Sequence, residues 1–379
     1  MKQKQITDYK ILLLIDRAGV CGVDYMRGIV KYVSENPLSI ISYEKGILMP
    51  NLMNLDADGV IMDYTPRNIR FLRPNMPAVL LGDIDKIKNF PHVAVNAVSI
   101  GIKCAEYFIN NGFKHFAFCR DAGPAWSGAF YINRIKEAGF ETHIYKQPKG
   151  LRWVKERPGM VKWLKSLPKP IGVTAHNDNR AQYIIDACRA ACIKIPEEVA
   201  ILGVSNDKII CNQVKPHLSS LTINMEKAGY QSAELLHKFM KGSQKMSRQE
   251  IIVEPMYVVE RQSTDILATD DKDLASAVQF IIKNAHEPIQ VIDVVKAGTV
   301  SRRNLEMRFK KILRHSILEE INSARVKQII QLLLETNLSL KQIAIIFKYT
   351  SYYNICRFFK KETGISPLEY RKQHQYKLK

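Results

Sequence analysis

Over the first 260 residues, short apolar runs alternate with longer segments whose apolar residues recur every three to four positions. Residues 10–15 (KILLLI) are typical of a buried parallel strand, and residues 23–35 (VDYMRGIVKYVSE) predict an amphipathic helix. The alternation continues at 58–64, 78–83, 100–113, 115–120, 171–178, 180–193, 199–207, 229–240 and 251–260, the last of which predicts one final strand. This order of elements indicates an α/β fold built from doubly wound parallel sheets.

The alternation stops at residues 263–273 (STDILATDDKD), a polar and acidic segment without strand periodicity. Every segment that follows has the periodicity of helices. A chain of 379 residues is also long for a single domain. We therefore predict an α/β domain over residues 1–265 and an all-α domain over residues 266–379.

Polar residues follow several of the predicted strands of the α/β domain. Doubly wound sheets bind ligands beyond the carboxyl ends of their strands. Four side chains at such ends are therefore candidate ligand contacts: Asp63, Asn96, Asp178 and Asn206. Ordinary loop chemistry, or capping of the helix that follows, is the alternative interpretation.

The net charge is concentrated in the second domain. The whole chain carries a formal charge of +19, and residues 296–379 alone have 18 lysines and arginines against six glutamates, a net +12. A basic region of this density predicts a polyanionic partner such as double-stranded DNA. A merely solvated basic surface is the alternative.

Cysteines and motifs limit the other classes of function. The seven cysteines form no CxxC pair and no metal-binding spacing, so we expect free thiols in the cytoplasm and no metal or cofactor. The polar start MKQKQITDYK is unlike a signal peptide, and no apolar run is long enough to span a membrane. Phosphate-loop, dinucleotide-binding, HExxH and G-x-S-x-G motifs are absent, which argues against an enzyme.

Two segments of the basic domain have the pattern of helices that read DNA. In residues 301–313, Leu305, Phe309 and Ile312 form an inward stripe, and in residues 351–362 Ile355, Phe358 and Phe359 do the same. The polar residues off these stripes suit base or phosphate contacts, because Arg can bridge guanine and Asn can pair with adenine. The candidate DNA contacts are Ser301, Arg302, Arg303, Asn304, Arg308, Lys310, Ser351, Tyr352, Tyr353, Asn354, Arg357, Lys360 and Lys361.

Both domains resemble known families. Residues 339–372 keep the helix, the turn, the FKK, the TG and the SPxxYR tail of the second helix-turn-helix unit of AraC-type DNA-binding domains, and residues 291–311 resemble the first unit. Residues 10–265, ending in ERQSTD, resemble the two-lobed, periplasmic-binding-protein-like sensor of LacI-type repressors. This order of domains resembles the xylose operon regulator family. The resemblance implies a homodimeric transcription activator that responds to a small sugar, with D-xylose first among the candidates, and acts with RNA polymerase at promoter DNA.

The sequence departs from these families at several positions. Lys348 and Thr299 stand where the turn of each helix-turn-helix unit usually has glycine, and we expect an adjusted turn at both. By the resemblance, Asp63 and Asp178 match the sugar-binding pattern and Trp126 could stack on a sugar. Three other positions differ from the pattern: Asn96 and Ser205 replace aspartates, and Phe130 replaces an arginine. Asn206, which follows Ser205, stands where the pattern has Asp or Asn. The alternative function is a constitutive DNA-binding regulator with a vestigial or re-purposed sensor.

Overall fold

The structure, a computed structural model, describes residues 9–16, 20–42, 56–65, 68–72, 75–82, 90–121, 127–266, 271–313 and 315–374. Its strands are β1 (Tyr9–Leu14), β2 (Leu38–Ser42), β3 (Gly59–Asp63), β4 (Ala78–Leu81), β5 (His92–Val95), β6 (Phe116–Arg120), β7 (Thr142–Lys146), β8 (Ile171–Ala175), β9 (Val199–Val204), β10 (Ser219–Ile223), β11 (Glu250–Val253) and β12 (Pro255–Val259). Its α-helices are α1 (Val20–Ser34), α2 (Ala97–Asn110), α3 (Gly128–Glu137), α4 (Trp153–Ser166), α5 (Asp178–Ala191), α6 (Lys208–Gln213), α7 (Met225–Met240), α8 (Lys272–Asn284), α9 (Val291–Lys296), α10 (Arg302–Arg308), α11 (Ile317–Glu335), α12 (Leu340–Ile346), α13 (Tyr352–Thr363) and α14 (Pro367–His374).

The chain divides into two compact units. One contains residues 1–100, 205–207 and 222–257, and the other contains residues 101–204, 208–221 and 258–379. Each unit has its own six-stranded sheet, and the helices after residue 271 belong to the second unit.

The sheet of the first unit has the strand order β11-β5-β4-β3-β1-β2, and its ladders are parallel. The apolar runs predicted as strands are buried on both faces, as parallel sheets require. Helices α1 and α7 pack against each other so closely that a Cβ at Gly28 would lie 1.8 Å from the carbonyl oxygen of Glu226. Gly229 meets the carbonyl of Tyr25 in the same way, so both glycines are needed for this helix contact.

The sheet of the second unit has the order β12-β10-β9-β8-β6-β7. The pairings of β6 with β7 and β8, and of β9 with β8 and β10, are parallel. Buried side chains of β8 and β9 pack against α4 and α5 in one apolar cluster. The α/β fold class and the two doubly wound sheets are therefore confirmed.

The predicted single strand at 251–260 is wrong. The segment forms two strands, β11 in the sheet of the first unit and β12 in the sheet of the second. Pro255 begins β12, a strand position where its missing N–H does least harm. A continuous apolar pattern does not show that the chain leaves one sheet and enters another.

Two apolar clusters form the core of the helical region, and α11 contributes to both. Ile317, Ile321 and Ala324 of α11 pack with α8, α9 and α10. Ile329 and Leu333 of the same helix pack with α12 and α13. Each helix-turn-helix unit thus has its own core, and one long helix joins them.

The inward stripe of the first recognition helix differs from the prediction at one position. Leu305 and Phe309 are buried as expected, but Leu313 is buried where the pattern predicted Ile312, which is only partly buried. Residues Phe309–Leu313 form a π-helical turn. Its wider hydrogen-bonding ring moves the buried position on by about one residue.

Within the described ranges, no helix has the length and apolar character needed to cross a bilayer. The same residues contain no group of His, Cys, Asp and Glu side chains that could hold a metal ion. All seven cysteines are free thiols.

Candidate DNA-binding and ligand-binding sites

The first helix-turn-helix unit consists of α9 and α10. Ser301 caps α10, its hydroxyl accepting a hydrogen bond from the backbone N–H of Asn304 at 3.4 Å. The cap leaves the first turn of α10 exposed, and recognition helices present this end to bases.

The charged residues of α10 differ in their partners. Arg302 donates from Nε to Glu306 Oε1 at 2.8 Å in an exposed pair one helical turn apart. Arg303 is exposed, and among the described residues its guanidinium has no hydrogen bond or ion pair. Lys310 is also exposed, in the π-helical turn after α10. Arg303 is therefore the arginine of α10 that can engage a base without breaking an internal bond.

Arg308 is held inside the unit. Its guanidinium bonds the carboxylates of Asp271 and Asp273 at the start of α8, and Nε donates to Asn304 Oδ1. The sequence predicts DNA contacts for both Arg308 and Asn304, and in the structure these two side chains bond each other.

The second helix-turn-helix unit consists of α12 and α13. The predicted adjusted turn is wrong here, because Lys348 takes the left-handed conformation with a φ of 56°. The N–H of Lys348 bonds the carbonyl of Ile345, and that of Tyr349 bonds the carbonyl of Ala344, so the carbonyls at the end of α12 are satisfied. In the first helix-turn-helix unit neither Gly298 nor Thr299 has a positive φ, and that turn is adjusted as expected.

The polar residues of α13 lie on its outer face. Ser351 caps the helix by accepting from the backbone N–H of Asn354. Tyr353 is 75% exposed, and the ring of Tyr352 meets it edge-on. Exposed polar residues continue along this face of the helix: Asn354, Arg357, Lys360 and Lys361.

Two arginines of the helical region hold helices together. Arg325 donates to the backbone carbonyls of Glu287 and Phe347 and so ties α11 to both helix-turn-helix units. Arg371 donates to the carbonyl of Leu333, and burial lowers its pKa. Their long-range partners are invisible in the sequence.

In the first α/β unit, Asp63 and Asn96 lie at the carboxyl ends of β3 and β5 as predicted. Asp63 is partly buried and accepts from the backbone N–H of Asp16, which follows β1, at 2.6 Å. Asn96 accepts from the N–H of Ser99 and donates to Glu254 Oε1 at 2.7 Å. Asn96 therefore caps α2, which is the alternative role for this position.

Ser205 and Asn206 have positive φ values of 103° and 53°. The Ser205 hydroxyl accepts a hydrogen bond from the thiol of Cys21 at 3.2 Å, and Asn206 is buried. A left-handed serine is uncommon, so the surrounding contacts hold this segment in a strained conformation.

In the second α/β unit, Asp178 is the first residue of α5 and is only 2% exposed. Its Oδ1 accepts from the hydroxyl of Ser220 at 2.6 Å. The helix cap is the preceding residue, Asn177, so capping is not the role of Asp178. Trp126 lies outside the described residues, and Phe130 is partly buried in α3.

Sequence reasoning missed a polar cluster beside Asp178. The guanidinium of Arg180 and the carboxylate of Glu156 form a buried, two-bonded ion pair. Asn177 donates to Asp121, which directly follows β6, at 3.0 Å. Burial also lowers the pKa of His176, which favours its neutral form. Asp121 obeys the strand-end rule that selected Asp178, and that rule applied to every strand would have found it.

Two domain families match the chain. A periplasmic binding protein-like domain matches residues 105–264, and a helix-turn-helix domain matches residues 295–373. The second match spans α10 to α13, which carry the candidate DNA contacts.

Relatives of known role match almost the whole chain. The xylose operon regulatory protein of Haemophilus influenzae is 29% identical over 380 residues, covering 96% of this chain and 98% of that protein. The protein of the same name from Escherichia coli K12 is 27% identical and covers 83% of this chain and 84% of its own length. A solved structure of a xylose-binding transcription activator has a TM-score of 0.60 and 25% identity, covering 98% of this chain and 99% of that one.

A dimeric Lac repressor structure shares the fold, with a TM-score of 0.56 and 14% identity over 67% of this chain and 98% of the repressor chain. Sensor fold, helix-turn-helix units and their order along the chain thus agree with the predicted resemblance. The chain is a DNA-binding transcription regulator of the xylose-regulator type, which joins a periplasmic-binding-protein-like sensor to an AraC-type helix-turn-helix domain.

Proposed function

We propose that a small sugar, with D-xylose the first candidate, binds the sensor and controls promoter recognition by α10 and α13. The observation that carries the DNA-binding part is the pair of exposed arginines, Arg303 and Arg357, on two capped helices. Two such helices on one chain suit two successive major-groove segments. The choice of sugar is supported by the relatives named xylose operon regulatory proteins.

Selection from a randomised duplex pool by the full-length chain tests the DNA-binding part. We expect an enriched sequence whose affinity falls steeply with salt, because phosphate contacts by lysines and arginines release counterions. Equal affinity for the enriched and a scrambled duplex would contradict sequence-specific recognition.

Calorimetry with D-xylose and a panel of other pentoses and hexoses tests the sugar. We expect saturable binding of one sugar, weakened by about 1.5–3 kcal/mol, or roughly 10- to 150-fold, in Asp63→Ala if its carboxylate holds a hydroxyl. Asp56→Ala is the matched control, because Asp56 is an exposed carboxylate just before the same strand, β3. Unchanged sugar affinity in Asp63→Ala would remove this residue from the site.

A constitutive regulator is the second candidate, and specific contacts favour it. Asn96 is engaged with Ser99 and Glu254, and Asp178 is buried against Ser220, so two polar groups expected to hold sugar already have internal partners. This candidate predicts no heat with any sugar of the panel. It also predicts that DNA affinity is the same with and without added D-xylose.

We further propose that the regulator acts in the cytoplasm as a non-enzymatic homodimer that engages RNA polymerase at its promoter. Support comes from its relatives, one described as a transcription activator and one as a dimeric repressor. Sedimentation at micromolar concentration tests the dimer, and a monomer with and without D-xylose would exclude it. In vitro transcription with RNA polymerase and a promoter containing the selected duplex tests activation, which should require the full-length chain.

A further inference from the structure

Among the described residues of the first helix-turn-helix unit, Arg308 is the cation with the most internal partners. Its side chain is 27% exposed, and Nη1 donates to Asp271 Oδ1 at 2.7 Å and to Asp273 Oδ2 at 3.1 Å. Nε donates to Asn304 Oδ1 at 2.6 Å, one turn earlier on α10. The guanidinium therefore joins the start of α8 to the face of α10.

The two carboxylates are themselves fixed. Asp271 is the N-cap of α8 and accepts from the N–H of Leu274 at 3.1 Å. Asp273 accepts from the hydroxyl of Thr299, in the turn before α10, at 2.5 Å. The network thus ties together the start of α8, the turn between α9 and α10, and the recognition helix α10.

The internal bonds of Arg308 limit the contacts that its guanidinium can make with a base. An arginine that bridges guanine O6 and N7 uses two neighbouring nitrogens, either Nη1 with Nη2 or Nε with Nη2. Each pair contains a nitrogen that is already bonded inside the unit, since Nη1 serves the aspartates and Nε serves Asn304. Bidentate base contact by Arg308 would therefore break an internal, partly buried bond.

The same bond fixes Asn304. Because Arg308 Nε donates to Oδ1, a flip of the amide would place the Nδ2 hydrogens against another N–H donor. Oδ1 keeps a second lone pair and Nδ2 keeps its hydrogens, so Asn304 can still accept from adenine N6 and donate to N7. Arg308 thus fixes which side of the amide carries the oxygen and which carries the Nδ2 hydrogens.

We propose that Arg308, anchored by Asp271 and Asp273, is a positioning residue that orients Asn304 for base readout and contacts no base itself. This inference rests on the proposed function, because it requires α10 to enter the major groove. It replaces the direct DNA contact that the sequence pattern suggested for Arg308.

The test measures full-length variants on the duplex selected by the wild-type chain and on a scrambled duplex, over a range of salt. We expect Arg308→Gln to bind the selected duplex about 10-fold more weakly, with an unchanged salt slope, because no phosphate contact is lost. Asn304→Ala should lose discrimination at one base pair. Arg308→Gln should lose it at the same base pair, and the double variant should be no weaker than the weaker single variant.

Removing the anchors gives the sharpest contrast. The double aspartate variant Asp271→Asn/Asp273→Asn removes both carboxylates. It retains the N-cap of α8, because Asn caps helices as well as Asp does. Direct contact by Arg308 predicts tighter DNA binding in this variant, since two negative charges are removed and the guanidinium is released. The positioning role predicts weaker binding to the selected duplex. Glu287→Gln, which removes an acidic group of the same unit outside the network, should change affinity less than about threefold.

A salt slope lowered by about one in Arg308→Gln, additive losses in the double variant, or tighter binding by the aspartate variant would each overturn the proposal. Circular dichroism and melting of every variant identify loss of folding, and the aspartate variant keeps the test decisive if Arg308→Gln unfolds. A wild-type chain that selects no sequence would instead contradict the proposed function.

Discussion

The two helix-turn-helix units place their recognition helices by different means. In the first, an ionic network of Asp271, Asp273 and Arg308 ties α10 to α8. In the second, buried Ile355 and Phe359 hold α13 against α11 and α12 without a comparable ion pair among the described residues. Both units therefore have an apolar core, and in the described residues the first adds an ionic network to it.

The two helix-turn-helix units therefore differ in which charged side chains stay exposed and which hold the recognition helix in place. The second unit leaves Arg357, Lys360 and Lys361 exposed, because apolar contacts hold the helix. The first unit uses one of its arginines, Arg308, to hold the helix and leaves Arg303 exposed. Both units share Ser caps at the exposed end, so that end is prepared in the same way.

The largest expected effect comes from removing the core aromatic of each unit. Phe309 and Phe359 are fully buried in separate clusters, so Phe309→Ala and Phe359→Ala should each cost about 3–5 kcal/mol. Hydrogen exchange should rise mainly in residues 291–313 for the first variant and in residues 340–363 for the second. Met307→Ala, at a residue 62% exposed, is the control and should change little. Equal loss of protection in both units after either change would show that they open as one.

The next effect concerns the exposed arginines. Arg303→Ala and Arg357→Ala should each weaken binding to the selected duplex by about 1–3 kcal/mol if each contacts a base through two bonds. Lys283→Ala removes an exposed charge from α8 and is the control. Affinities from fluorescence anisotropy, compared with a scrambled duplex, separate lost readout from lost charge. A loss in one variant alone would show that one unit reads DNA and the other only binds phosphates.

Sequence periodicity predicted the fold well where the pattern is local. Buried strands such as Ile11–Leu14 and the stripe of Ile355 and Phe359 follow directly from the spacing of apolar residues. It failed where the partner is remote. Nothing in residues 251–260 indicates that the first half of the segment pairs with β5 while the second half lies beside β10.

The candidate sites show the same limit. Helix caps at Ser301 and Ser351 were predictable because donor and acceptor lie three residues apart. The bonds of Arg308 to Asp271 and of Asp178 to Ser220 span 37 and 42 residues, and only the folded chain brings these groups together. Residue type was thus sufficient to identify candidate site residues. Only the contacts in the folded chain show that some of them, such as Arg308 and Asp178, already have internal partners.

A smaller effect is expected from the turns. Lys348 is left-handed, a conformation that costs a residue with a Cβ about 1–2 kcal/mol and glycine little. Lys348→Gly should therefore raise the free energy of unfolding by about 1 kcal/mol, measured by urea denaturation followed in the helical region. Thr299→Gly should instead lower it by about 1 kcal/mol, because it removes the hydrogen bond to Asp273 from a turn without positive φ. Stabilisation by both changes would contradict the difference between the two turns.

The smallest effect is a pH dependence confined to the first unit. His315 Nε2 lies 2.6 Å from Glu320 Oε2, and the ring meets Phe309 edge-on. The hydrogen bond to Glu320 raises the pKa of His315 above its ordinary value of 6.5. Because the folded pKa is the higher one, the stabilisation is complete below pH 6.5 and is lost as pH rises through the folded pKa.

Hydrogen exchange of residues 309–325, corrected for the intrinsic effect of pH, should therefore report weaker protection at pH 8 than at pH 6 in the wild-type chain. His315→Gln keeps a hydrogen-bond donor without a titrating proton and should flatten this dependence. Residues 340–363 of the second unit supply the internal reference, since Ile355 and Phe359 of its core do not titrate. Parallel pH profiles for wild type and His315→Gln would show that the His315–Glu320 pair does not contribute to holding α11 on the first helix-turn-helix unit.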